Sequence, residues 1–80
     1  MELDPTPKFN RSLEKFPKDI RDKFYKQADF LLHDIRYPSL RAKKYDETTG
    51  TWQARVSKNV RFYFLIEKDT YTLIDIKYHN

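Results

Sequence analysis

From Thr51 onward the chain alternates between apolar and polar residues, and that alternation leaves few folds open. In Thr51–Ser57, Trp52, Ala54 and Val56 share one parity, and Gln53 and Arg55 the other. In Arg61–Glu67, Phe62, Phe64 and Ile66 oppose Arg61 and Tyr63. In Tyr71–His79, Ile74 and Ile76 oppose Asp75, Lys77 and His79. Successive strand side chains face opposite sides of a sheet, so each segment has an apolar and a polar face. The three apolar faces are expected to share one core. Arg55, Arg61, Tyr63 and His79 are then expected together on the opposite surface.

The apolar face needs a cover, and the first half of the chain supplies one. Thr6-Pro7 reads as an N-cap followed by proline at the first helical position. Phe9, Leu13 and Phe16 then recur at helical spacing. Pro17 opens a second helix, expected over Lys18 to Asp34, whose apolar stripe is Ile20, Phe24, Ala28, Leu31, Leu32 and Ile35. Pro38 forbids continuation and pushes Tyr37 toward an extended conformation. Ala42–Tyr45 reads as a short strand, and Asp46–Gly50, with the only glycine of the chain, as a hairpin loop. Ser57-Lys58-Asn59 is the next turn, with Asn59 the residue best suited to positive φ. Lys68-Asp69 is the last. Glu2–Asp4 is at most a short edge strand, limited by Pro5 and Pro7. The expected fold class is α+β: two N-terminal helices packed on one face of a small, mainly antiparallel β-sheet, as one domain over residues 1–80.

With 80 residues and no cysteine, the chain has to hold itself together by its core, to which the 16% of aromatic residues contribute. No apolar run is long enough to span a membrane, and Met1-Glu2-Leu3-Asp4-Pro5 does not read as a signal peptide. A cytoplasmic protein with no membrane partner is the expectation. The net charge of +4 is unevenly placed. Arg36, Arg41, Lys43, Lys44, Arg55, Lys58 and Arg61 face only Asp46 and Glu47 within their segment, an excess of five positive charges, while the remainder carries nine basic and ten acidic residues. Such a localised basic surface favours a polyanion, most simply RNA or DNA.

No metal and no cofactor is expected. His33 and His79 are the only histidines, and neither sits in a ligand-spaced cluster. His33 reads as a surface residue at a helix C-terminus. There is no glycine-rich phosphate loop and no support for a serine or cysteine nucleophile. Metal-free RNA cleavage needs fewer parts, because the substrate's own 2′-hydroxyl is the nucleophile. The protein has to help move two protons and stabilise the phosphorane. Arginine suits the phosphorane through its permanent charge and forked donors. Histidine moves protons near neutral pH, and tyrosine stacks on bases or donates a hydrogen bond. Plainer roles stand beside these: strand arginines solvating a sheet face, Tyr63 as packing, His79 as a frayed tail, Asp75 as an orienting partner or as nothing. Trp52 is expected in the core.

These residues carry a resemblance. Tyr37-Pro38-Ser39-Leu40-Arg41-Ala42-Lys43-Lys44-Tyr45 resembles the proline-serine-leucine segment of the RelE/ParE superfamily, toxins of bacterial type II toxin–antitoxin systems. Trp52-Gln53-Ala54-Arg55-Val56-Ser57-Lys58-Asn59-Val60-Arg61-Phe62 resembles its central hairpin, and Thr70–His79 its last strand. Phe16-Pro17-Lys18-Asp19-Ile20 is similar to the opening of its second helix. The resemblance implies a ribosome-dependent messenger-RNA endonuclease of the RelE, YoeB and YafQ kind. The alternatives are a ParE-like inhibitor of DNA gyrase or an inactive member that only binds its antitoxin. It implies Arg61, Arg55 and His79 as catalytic residues. It further implies Arg41, Lys43, Lys44, Lys58, Tyr63 and Lys77 as contacts to RNA or the ribosome. Implied partners are a cognate antitoxin, in a hetero-oligomer, and the ribosomal A site with its mRNA. The sequence departs from the pattern at Val60, where the family usually has tyrosine, and it has no match for the glutamate that serves as a base in YoeB-like members.

Overall fold

The computed structural model describes residues 1–79. In chain order the elements are β1 (Glu2–Pro5), α1 (Pro7–Glu14), α2 (Lys18–His33), a 3₁₀ turn (Pro38–Leu40), β2 (Lys43–Asp46), β3 (Thr51–Ser57), β4 (Val60–Glu67) and β5 (Thr70–Tyr78). The sheet order is β1-β5-β4-β3-β2, antiparallel except for the parallel β1–β5 pair. The expected α+β class is therefore present, with both helices on one face.

Thr6 caps α1: its Oγ1 accepts from the Phe9 N–H at 3.2 Å, and Pro7 follows in the first turn. The same hydroxyl donates to the Leu73 carbonyl at 2.9 Å, which ties the start of the helix to β5. α2 ends at His33, one residue before its expected limit, and Ile35 packs against the core from beyond the helix. His33 is exposed, its Nδ1 2.8 Å from the Asp29 carbonyl.

Aromatic rings carry the core from helices to sheet. Phe9 meets Phe24 at 5.1 Å between centroids, Phe24 meets Phe62 edge-on at 5.2 Å, and Phe64 meets Tyr71 edge-on at 5.5 Å. Tilted and edge-on geometries suit the ring quadrupoles. Trp52 is only half-buried, stacked 6.4 Å from Phe64 and covered by the Lys44 ammonium at 5.3 Å. It lies on the core side but at its margin.

Two expectations fail for local reasons. Ile74 and Ile76 do not share the core face. A bulge leaves Ile74 unpaired between the Phe64–Leu73 and Tyr63–Asp75 pairs, so Tyr71, Leu73 and Ile76 point inward. The bulge falls where β1 ends and the neighbour of β5 changes from a strand to α1. Among the described residues those with positive φ are Arg41 (46°), Lys68 (54°) and Gly50 (76°), and Asn59 is not one of them. The β3–β4 turn closes instead on a one-residue irregularity between Arg55 and Ser57.

Candidate functional site

Register decides what the solvent-facing side of the sheet displays. Arg55 of β3 lies directly opposite Arg61 of β4, and Arg61 directly opposite Lys77 of β5. Cross-strand partners share a face, so three cations form one row across three strands. The adjoining row reads Lys43, Gln53, Tyr63, Asp75. Asp75 does not neutralise the basic row. Its Oδ1 accepts from Ser12 Oγ and from the Ile76 N–H, both at 2.9 Å, and its Oδ2 lies 3.6 Å from Lys8 Nζ, so the carboxylate belongs to α1.

Arg61 is held by the β3–β4 turn. Its Nη1 donates to the carbonyls of Ser57, Lys58 and Val60 at 2.7, 3.2 and 3.1 Å. A guanidinium has five donors, so Nε and Nη2 remain for an anion. Burial, then the nearby Arg55 and Arg41 charges, push its pKa below the usual arginine value, partly offset by Tyr63. It nevertheless stays protonated. The remaining carbonyl of that turn, Asn59, accepts from the backbone N–H of His79 at 2.7 Å. One turn therefore anchors both Arg61 and the segment bearing the exposed His79, one residue past β5.

Tyr63 is buried on this face. Tyr45 packs edge-on against it at 4.9 Å, and the Lys77 ammonium lies 5.0 Å over its ring. Burial first, with further contributions from Tyr45 and Asp75 against that of Arg61, pushes its phenol up. The aromatic ring offered to solvent is Tyr45, 56% exposed. It shares this face with Lys43, two residues earlier on β2, as strand alternation requires, and the register shifts between Lys44 and Asp46. Lys43 shares the face, Lys44 lies on the other side over Trp52, and Lys58 is exposed at the turn. Arg41 follows the 3₁₀ turn and is exposed. The structure thus brings Arg55, Arg61, Lys77, Tyr63 and Lys43 together, with Arg41 close enough to bias Arg61 and His79 at the shared turn.

Two residues escape the pattern reading. Tyr45 has the parity of Lys43, but its seat against Tyr63 depends on how β2 and β3 are paired, which leaves no periodic signal. Gln27 does leave one: it is a polar residue three after Phe24 and four before Leu31, on a core-facing stripe. Its Nε2 donates to the carbonyls of Arg55 at 2.8 Å and Ser39 at 3.1 Å, and its Oε1 accepts from Ser39 Oγ at 3.0 Å. It joins α2, the 3₁₀ turn and β3 behind Arg55.

Among the described residues no group of three His, Asp or Glu side chains is placed to hold a metal ion, and no helix is long and apolar enough to cross a membrane. No protein-family model matches the chain, and no curated protein does at the level of sequence. Solved structures do match. The YoeB/ParE toxin from Agrobacterium tumefaciens superposes with a TM-score of 0.83 at 14% identity, covering 100% of both chains. The archaeal RelE–RelB complex from Pyrococcus horikoshii OT3 gives 0.82 at 14% identity over 99% of this chain and 94% of that one. The toxin–antitoxin complex RelBE2 from Mycobacterium tuberculosis gives 0.77 at 21% identity over 98% and 96%. This chain therefore shares its fold with these RelE- and YoeB/ParE-like toxins.

Proposed function

We propose that this chain is the toxin of a type II toxin–antitoxin system and acts as a ribosome-dependent, metal-free mRNA endonuclease. The observation that carries the reading is the Arg55–Arg61–Lys77 row. Like charges directly opposite one another destabilise a sheet. An anion seated on them removes that cost, and a phosphorane, more negative than the phosphodiester it forms from, gains most from them.

In the reaction, the 2′-oxygen bonds to phosphorus as its proton passes to water, and the bond from phosphorus to the 5′-oxygen breaks, leaving a 2′,3′-cyclic phosphate. Arg61, through Nε and Nη2, and Arg55 stabilise the charge on the non-bridging oxygens. His79 protonates the departing 5′-oxygen. Arg41, Lys43, Lys58 and Lys77 contact RNA or ribosome backbone around this point, and Tyr45 offers the exposed ring on which a base stacks. An antitoxin partner is supported by similar folds seen in RelE–RelB and RelBE2 complexes. An acidic segment of that partner would cover the same cations.

The test is a map of transcript 5′ ends by primer extension after induction of the parent and of Arg61→Ala. The parent is expected to give discrete cuts, in frame and dependent on translation. Arg61→Ala is expected to reduce them by about 100- to 1000-fold while staying folded, since its side chain lies on the outer face and leaves no core cavity. Near-parental cutting by the variant refutes the assignment of Arg61. Intact transcripts with damaged DNA would place the chain with gyrase inhibitors instead.

A further inference from the structure

β2 pairs only with the Thr51–Gln53 stretch of β3, so from Ala54 onward that edge faces α2 and the 3₁₀ turn. Between them lies an open groove of about 480 Å³. Lys23 and Lys26 of α2, Arg41 and Arg55 line it, together with Phe30, and its lining contains no acidic side chain. Its position is built. Gln27, 7% exposed, fastens the 3₁₀ turn to β3 through both ends of its amide. Arg41, the residue after that turn, sits at φ 46°, a left-handed conformation that residues with a Cβ rarely adopt. Phe30 is stacked on Tyr37 at 4.0 Å and 12° between planes, and Tyr37 is 40% exposed. The groove therefore joins a cation-lined channel to an aromatic platform, and Arg55 is common to it and to the basic row.

We propose that this groove is a second nucleic-acid subsite, binding the RNA phosphodiester backbone that flanks the phosphate held by Arg55 and Arg61, with one base stacked on Tyr37. The proposal rests on the endonuclease reading above, which supplies the position of the reacting phosphate. Lys23 and Lys26 act as point charges toward phosphate oxygens, and Arg41 adds a planar fork. A cationic groove that tracks the backbone beside an aromatic stacking surface is the general solution for single-stranded nucleic acid. An acidic peptide would satisfy the cations but leave the aromatic platform unused, so RNA is the favoured occupant.

The test uses the full chain and a fluorescein-labelled single-stranded RNA carrying 2′-O-methyl groups, which cannot be cut because it lacks the nucleophile. Affinity is read by anisotropy across a salt titration. For a single strand, the slope of log K against log salt falls in magnitude by about 0.7 for each phosphate contact removed. Lys23→Ala/Lys26→Ala is therefore expected to lose about 1.4 of slope. Arg41→Gly is expected to lose about 0.7 while its Tm is unchanged or raised, because glycine suits that backbone conformation. Tyr37→Ala is expected to weaken binding without changing the slope. Lys18→Ala, on the same helix but paired with Asp22 at 2.9 Å, controls for net charge and is expected to match the parent.

A double-lysine variant with the parental slope overturns the proposal, as does a Lys18→Ala slope reduced by about 0.7 or more, the loss expected for one groove contact. If a glutamate-rich peptide binds with a salt slope that needs Lys23 and Lys26 while RNA binding does not, the groove is a peptide site and the proposal fails. The two readings fail separately. Loss of slope in the lysine pair with undiminished cutting by Arg61→Ala upholds the groove and rejects the catalytic assignment. Arg61-dependent cutting with no lysine effect does the reverse.

Discussion

Gln27→Ala tests whether one buried amide holds the candidate site together. The truncation removes three hydrogen bonds: those to the Arg55 and Ser39 carbonyls and that from the Ser39 hydroxyl. Each is worth a net ~0.5–1.5 kcal/mol on average. The three together come to about 2–4 kcal/mol, since the adjoining groove admits water that offsets part of the loss and the vanished methylenes add to it. In a domain of 80 residues each kcal/mol moves Tm by about 4–8 °C, so a fall of at least about 8 °C is expected. The assay is urea unfolding of the parent, Gln27→Ala and Gln27→Met. Methionine keeps the volume without the amide, so it separates packing from hydrogen bonding. It is expected to retain more than half of the loss, roughly 2 kcal/mol. If both variants lose less than about 0.5 kcal/mol, at the lower limit for a single hydrogen bond, the clamp contributes nothing and the argument fails.

Further outcomes follow from individual side chains. Trp52→Ala is expected to cost about 2–3 kcal/mol by urea unfolding, below the roughly 3–5 of a fully buried aromatic, because the ring is half-buried; a cost above about 4 would mean the ring is more tightly held than its packing indicates. His79→Gln is expected to slow single-turnover cleavage on programmed ribosomes by about 100- to 10,000-fold and to change its pH profile with binding retained. An unchanged rate and profile would remove His79 from the mechanism. Tyr63 and Tyr71 both have phenols pushed up, mainly by burial. Their folded pKa values exceed the unfolded value of about 10, so the unfolded chain loses its protons first and stability falls as pH rises past that point. Tyr63→Phe/Tyr71→Phe is expected to flatten this alkaline loss in urea midpoints measured between about pH 9 and 11; an equally steep loss would refute it.

Much of this protein is readable from its chain because period is a local property. Thr6-Pro7, Pro17 and Pro38 punctuate the first half where helices start and stop. The alternation from Trp52 to Phe64 assigns each side chain a face whatever its neighbours are. That is why Arg55, Arg61 and Tyr63 emerge on one surface from sequence alone, and why Phe62 and Phe64 emerge in the core. Only the tertiary structure decides register and partnership, since these depend on elements distant in the chain. The bulge at Ile74 shifts half of β5 and appears where α1 replaces β1 as its neighbour. The pairing of β2 with β3 seats Tyr45 against Tyr63, which the pattern offers as the exposed aromatic. Asp75, equally able from sequence to serve a basic neighbour, is claimed by Ser12 and Lys8 of a helix at the other end of the chain. Gln27 stands on an apolar stripe as an anomaly until the carbonyl of Arg55 arrives from β3 to explain it. Side-chain direction is dictated within a few residues, but a buried polar group or a charge finds its partner only when the chain has closed on itself.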